Sequence, residues 1–208
     1  MQHILAINSS AAGEGAASRL LVEETVDRLR AANPTATVTW RDLGASPVPH
    51  LTSATLAGVR GEPATAAELV SRALSDALIA ELRAADTIVM GVPMYNFSVP
   101  TGLRAWFDHV LRAGETFSYS SAGPKGLLVG KRVIVIEARG GFYSEGPTQA
   151  FDFQEPYLRH LFTFMGITDV DFVRVEKTGF GPEARAAAIA DARMQLEDIV
   201  GSALERAA

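Results

Sequence analysis

The 208 residues include no cysteine. That absence removes disulfides, thiolate nucleophiles, zinc–cysteine centres and cysteine-held iron–sulfur clusters together, and it agrees with a reducing compartment. The chain also lacks a basic excess: 19 Lys and Arg stand against 24 Asp and Glu, for a formal net charge of −5. No basic run of the kind that marks a nucleic-acid binder occurs. No apolar stretch approaches the length of a membrane span. The opening MQHILAINSS has neither the basic segment nor the apolar region of a secretory leader. A soluble, cytoplasmic protein with no nucleic-acid or membrane partner is expected. Two nucleotide signatures are missing as well, GxxxxGK[ST] and GxGxxG, which argues against an ordinary triphosphate site and a classical dinucleotide fold. His3, His50, His109 and His160 are scattered without ligand spacing, so no metal site is expected.

What is present is an alternation of strand and helix patterns over one expected domain, residues 1–208. Hydrophobic residues make up 48%, enough for a core without staples. Short apolar runs at 3–8, 37–41, 87–92, 131–137 and 170–175 read as five strands. Between them, 18–32, 65–84, 100–112, 148–165 and 182–207 read as helices. Thr65 and Glu68 form a possible capping box, Pro100 stands in a first turn, and Pro156 predicts a kink or break. Residues 42–62 read as a long excursion with short helical pieces at most, and 117–126 as turn-rich. Buried parallel strands appear as continuous apolar runs, and ILAI, IVMGV and VIVI do so. The expected fold is α/β and flavodoxin-like, in three layers, with a five-stranded parallel sheet of order 2-1-3-4-5.

In such sheets ligands bind beyond the carboxyl ends of the strands, where the order reverses. Three segments leave strands there with unusual composition. Residues 8–18 (NSSAAGEGAAS) are small and hydroxylated and run into a helix N-terminus, a phosphate cradle or a plain helix cap. Residues 92–100 (VPMYNFSVP) are aromatic and glycine-free, and suit a flat heterocycle or a hydrophobic plug. Residues 137–143 (EARGGFY) carry a glycine pair that exposes amides or makes a tight turn.

In combination these residues resemble the FMN-dependent NADH:azoreductases, also described as NAD(P)H:quinone reductases. The resemblance runs nearly end to end: RDL at 41–43, PMYNF at 93–97, FDHVLRAGETFSY at 107–119, ARGG at 138–141, GITDV at 166–170 and GFGPE at 179–183. It implies a flavodoxin-like homodimer with bound FMN. Hydride passes from NADH or NADPH through flavin N5 to quinones and azo compounds in a two-electron ping-pong cycle. No catalytic side chain is required. By position, Ser10, Ala16, Ala17 and Ser18 hold the FMN phosphate. Pro93, Met94, Tyr95, Asn96 and Phe97 line the ring and ribityl chain, and Ala138, Arg139, Gly140 and Gly141 close the pyrimidine side. Tyr119 and Phe142 are candidates for the pocket wall, and Phe162 for a contribution from a partner subunit. Relatives often carry Ser at the position of Ala16 and Gln at that of Ala17, and some carry His where this chain has Tyr143. A flavodoxin-like electron carrier that does not oxidise NADH directly is the alternative. The chain's length and its two excursions favour an enzyme.

Overall fold

The computed structural model describes residues 2–207, with side chains to residue 201. In chain order the elements are β1 (His3–Asn8), α1 (Ala17–Ala32), β2 (Thr37–Asp42), α2 (Leu56–Arg60), α3 (Ala66–Ala84), β3 (Thr87–Pro93), α4 (Thr101–Val110), β4 (Phe117–Ser120), β5 (Gly123–Gly126), β6 (Arg132–Ala138), α5 (Glu155–Met165), β7 (Asp169–Val175) and α6 (Pro182–Ala207), with 3-10 turns at Gly13–Gly15 and Pro147–Phe151. The main sheet is parallel throughout and runs β2-β1-β3-β6-β7. Counting only its own strands, this is the expected 2-1-3-4-5 order.

The pleat sorts each strand between two cores. Leu5, Ile7, Ile88, Met90, Val133 and Val135 enter one cluster with Leu78 of α3, Trp106 and Phe107 of α4 and Leu158 of α5. Ile4, Ala6, Val89, Ile134, Ile136 and Val173 enter the other, with Leu21, Val22 and Val26 of α1 and Ile189 and Leu196 of α6. Every side chain of β3 is buried, as a central strand covered on both faces requires. At Gly91 a Cβ would stand 3.0 Å from the Val22 side chain and 3.2 Å from the Ser18 carbonyl. The missing side chain therefore lets the start of α1 ride directly on β3. Thr65 caps α3 and Glu68 reciprocates, completing the capping box.

Three local readings change. Residues 117–126 are not a plain turn: β4 and β5 pair antiparallel across Ser121 and Ala122, with Gly123 at φ 105°. Each strand has only four residues, and β5 is Gly-Pro-Lys-Gly, so no alternation was there to detect. The segment expected as one helix over 148–165 is interrupted just ahead of Pro156: a 3-10 turn at Pro147–Phe151 ends and α5 begins at Glu155. Pro156 lies in the first turn of α5, where a missing amide hydrogen is harmless, and the Asp152 carboxylate accepts from the Gln154 and Glu155 amides at 2.9 and 3.1 Å just ahead of it. Pro100 is the N-cap of α4, one position outside the helix.

Charge enters the core at the carboxyl end of β6. The side chains of Glu137 and Arg139 have no solvent exposure. Arg139 Nη2 lies 2.8 Å from Glu137 Oε2 and 2.9 Å from Asp152, and Nη1 lies 3.2 Å from Glu176. Glu137 Oε1 has no hydrogen-bond partner among the described residues. Burial raises the Glu137 pKa from 4.5 to about 8, with Arg139 opposing and Glu155 and Asp152 reinforcing the shift. Burial thus disfavours the charged form of Glu137.

Two outcomes follow. A Cβ on Gly126 would stand 2.0 Å from the Gly166 amide nitrogen, backbone against backbone. Gly126→Ala is expected to destabilise the protein by about 1–3 kcal/mol, since overpacking here has no flexible side chain to displace; denaturant unfolding measures it. Between the ordinary 4.5 and about 8, the unfolded chain loses a proton that folded Glu137 retains, so stability falls as pH rises through that window. Unfolding at about pH 5 and about pH 8 should show a smaller loss in Glu137→Gln than in wild type.

Candidate functional site

The loops that leave β1, β3 and β6 are bonded to one another. Ser10 Oγ lies 3.2 Å from the Tyr95 hydroxyl, and the Ala11 amide donates to that hydroxyl at 3.1 Å. The Met94 amide donates to the Ala138 carbonyl at 2.8 Å. The first contact joins residues 85 apart in sequence, and the topology brings them together because β1 and β3 are neighbours ending at the same edge. The turn after β2 supports the first loop: at Gly44 a Cβ would stand 2.0 Å from the Ser10 carbonyl, so only glycine lets the two backbones meet.

The middle loop is a tight hairpin. Tyr95 and Ser98 exchange backbone hydrogen bonds of 2.9 and 3.1 Å. Asn96 and Phe97 between them have φ of 48° and 70°, the positive values of a type I′ turn. Glycine usually fills these positions. Asn tolerates the left-handed region, whereas Phe is strained there, at a cost of order 1–3 kcal/mol. The turn holds Tyr95, Asn96 and Phe97 exposed above a buried Pro93. Phe97 packs edge-on against Tyr143, with centroids 6.1 Å apart, and against Phe151 at 6.3 Å.

The first loop offers amides more than side chains. Its last residue, Ala16, is the N-cap of α1 and supplies no side-chain acceptor, so the leading amides of the helix and its positive dipole end remain for an external anion. Residues 8–18 contain no Lys or Arg. In the third loop the carbonyls of Gly140 and Gly141 accept from Gly179 and Lys177 at 3.0 and 2.8 Å. Their own amides have no partner among the described residues, and a Cβ on Gly140 would meet nothing within 4 Å. An amide-lined anion cradle, a rigid aromatic turn and an open face at Gly140, beside the Tyr143 ring that packs on Gly141, fit a phosphorylated, planar cofactor such as FMN.

The expected site residues divide. Ser10, Ala16, Met94, Tyr95, Asn96, Phe97, Gly140 and Gly141 stand in these three loops, Pro93 and Ala138 are the last residues of β3 and β6, and Ala17 and Ser18 are the first of α1. Ser18 is buried at the first turn of α1. The Arg139 guanidinium is fully buried in the ion cluster and turns away from the loops. Phe162 does not reach outward to a partner subunit. It has no exposure and packs 6.0 Å from Phe107 in the core, on the inward face of α5. Phe142 turns away from the aromatic turn. Lys177 Nζ sits 4.1 Å over its ring, and it lines a separate cavity with Glu176 and Ala188. Tyr143 takes the place beside Phe97 instead. Tyr119 is 72% exposed and lines a cavity of about 430 Å³ with Arg60, Arg72 and Arg112, away from the three loops of its own chain. Sequence reasoning passed over Gly44 and Gln154. For Gly44 the RDLG turn after a strand was a signal; Gln154 offered none. His109 is a core residue: burial lowers its pKa, and Nε2 lies 3.0 Å from the Pro49 carbonyl, tying the 42–62 excursion to α4.

Known proteins agree with this geometry. A family profile described as flavodoxin-like fold matches residues 2–200. An FMN-dependent NADH:quinone oxidoreductase of Hyphomonas neptunium is 62% identical over 96% of this chain and 96% of its own. Another of that name from Ralstonia nicotianae is 51% identical over 97% and 98%. The crystal structure of an azoreductase from Bacillus anthracis superposes with a TM-score of 0.88 at 28% identity, covering 97% of this chain and 100% of that one. With the sheet order, the profile match over residues 2–200 and these identities in agreement, the chain belongs to the flavodoxin-like fold family, in the group of the FMN-dependent NADH:quinone oxidoreductases.

Proposed function

We infer that the protein is an FMN-dependent NADH:quinone oxidoreductase that also reduces azo compounds, by analogy with the relatives named above. The observation that carries this reading is the bonding of three strand-end loops into one edge, through Ser10–Tyr95 and Met94–Ala138. FMN, when bound, accepts a hydride equivalent from NADH and releases two electrons to the acceptor.

The chain's own residues bind, orient and exclude water. In this proposal Ser10, Ala16 and the free amides of Ala17 and Ser18 form the phosphate cradle, the Ala16 amide being held by the Gly13 carbonyl at 3.2 Å. Pro93, Met94, Tyr95, Asn96 and Phe97 form the wall along the ring and ribityl chain, and the free amides of Gly140 and Gly141 donate to its polar edge. Preorganised amides of this kind stabilise negative charge without rearranging. No side chain supplies a nucleophile. NADH and acceptor use one place in turn, which gives ping-pong kinetics, and NADPH is the second donor to test. The protein works as a cytoplasmic homodimer in the same proposal. Phe97, Phe151 and Phe153 are 48%, 52% and 59% exposed beside the site, and a clustered apolar rim of this sort suits a partner surface. No helix among the described residues is long and apolar enough to cross a membrane.

The protein purified with FMN and desalted should retain a flavin spectrum that bleaches with NADH under anaerobic conditions and returns on adding a quinone. A spectrum unchanged by NADH and by NADPH would identify an electron carrier and overturn the reading. Ala16→Ser adds an N-cap hydroxyl to α1 and is expected to raise the stability of the flavin-free protein by about 0.5–2 kcal/mol. The same hydroxyl stands at the phosphate cradle, so flavin titration should show tighter binding.

A further inference from the structure

One buried guanidinium ties the third loop to the segments at 152–154 and 176, and through Gln154 to the end of β3. Arg139 Nε donates to Gln154 Oε1 at 2.9 Å, and Gln154 Nε2 donates to the Val92 carbonyl at 2.9 Å, one residue before Pro93 and Met94. Both side chains are fully buried. Arg139 Nη1 reaches Glu176. That carboxylate accepts from the Tyr143 amide at 2.7 Å and the Ser144 hydroxyl at 2.6 Å, which fixes the chain just past the glycine pair. Arg139 Nη2 reaches Asp152, the residue that orders Gln154 and Glu155. Between those positions, the Phe153 amide donates to the Phe97 carbonyl at 3.1 Å, on the strained turn itself. The Arg139 carbonyl accepts from the Thr178 amide and hydroxyl at 3.1 and 2.9 Å.

Buried ion clusters are weak contributors to stability, because desolvation offsets attraction. A planar fork with donors in fixed directions is instead suited to setting geometry. We propose that Arg139 and Gln154 are positioning residues, which hold the Gly140–Gly141 turn and the Asn96–Phe97 turn in the one relative placement that accepts FMN. The inference rests on the cofactor reading above. Neither side chain touches the cleft; both act through backbone that does. The proposal also accounts for a non-glycine left-handed turn at Phe97, which needs an outside tether to persist.

The test uses full-length Gln154→Met and Arg139→Lys. Gln154→Met keeps volume and removes both hydrogen bonds. Arg139→Lys keeps the charge and removes the fork. Each is checked for folding by circular dichroism and by its thermal midpoint. FMN dissociation constants are then measured by flavin fluorescence at a temperature where both are folded. Hydrogen exchange of residues 95–98 and 139–143 is followed in the flavin-free proteins. The expected result is FMN binding weakened about tenfold or more, faster exchange in both turns, and a fall in kcat exceeding any change in quinone KM. Folded variants with affinity, exchange and kcat within about twofold of wild type would show a merely structural cluster and overturn the proposal. Arg139→Lys alone behaving as wild type would overturn the role of the fork. Wild type that binds no FMN would overturn the cofactor reading along with it.

Discussion

A guanidinium shut away from water must place its donors inside the protein, and Arg139 has carboxylates and a carboxamide converging on it from the segments around 137, 152–154 and 176. Cost drives this arrangement as much as attraction does. Removing any one partner would leave a buried polar group without compensation, so each segment holds the others in place. Burial holds the Glu137 pKa above the ordinary carboxylate range, and Glu155 and Asp152 reinforce that shift while Arg139 opposes it. The glycine turn, the aromatic turn and the start of α5 are in this way one mechanical unit, although they lie far apart in sequence.

The same logic explains why the aromatic turn can be strained. A type I′ turn built from Asn96 and Phe97 gives up the ease that glycine would bring. In exchange, the loop has fewer alternative conformations, and two ring-bearing side chains stand at fixed positions on its rim. The tethers are visible on both sides: Tyr95 with Ser98 within the turn, and Phe153 on the Phe97 carbonyl from outside. A preformed wall of this kind loses little entropy when a ligand arrives.

The order of the sheet was legible because its rule is one-dimensional. Continuous apolar runs mark strands buried on both faces, and β1 and β3 read that way residue by residue. The capping box at Thr65 and Glu68 was legible for the same reason, being a local contact at a fixed offset. The β4–β5 hairpin was hidden because strands of four residues with Gly and Pro carry no period. The three loops could be placed at one edge from topology, but side-chain direction could not. Arg139 and Phe162 are of residue types often found at sites, yet the pleat and the inward face of α5 turn them into protein. Tyr143 faces the aromatic turn and Phe142 does not, a difference decided by one step of backbone after the glycines. Gln154 shows the limit most clearly, since its two partners lie 15 and 62 residues away.

The strand order has a consequence for the chain as it emerges during synthesis. β1 is made first and lies between β2 and β3, so its second neighbour arrives only when residue 93 is out. Until then an apolar strand has one bare edge, which is the kind of surface that invites pairing with another chain. Ala12, Gly13, Glu14 and Gly15, just beyond that strand, are exposed and small or charged, and they do nothing to extend the sticky run. The site itself comes later still. Its first loop waits for Tyr95 in the middle loop, and the third loop waits for Glu176 on the last strand's exit. A nascent chain cut off before that point would carry a nearly complete sheet and no pocket. Truncation and loss of binding are thereby separated along the length of the molecule.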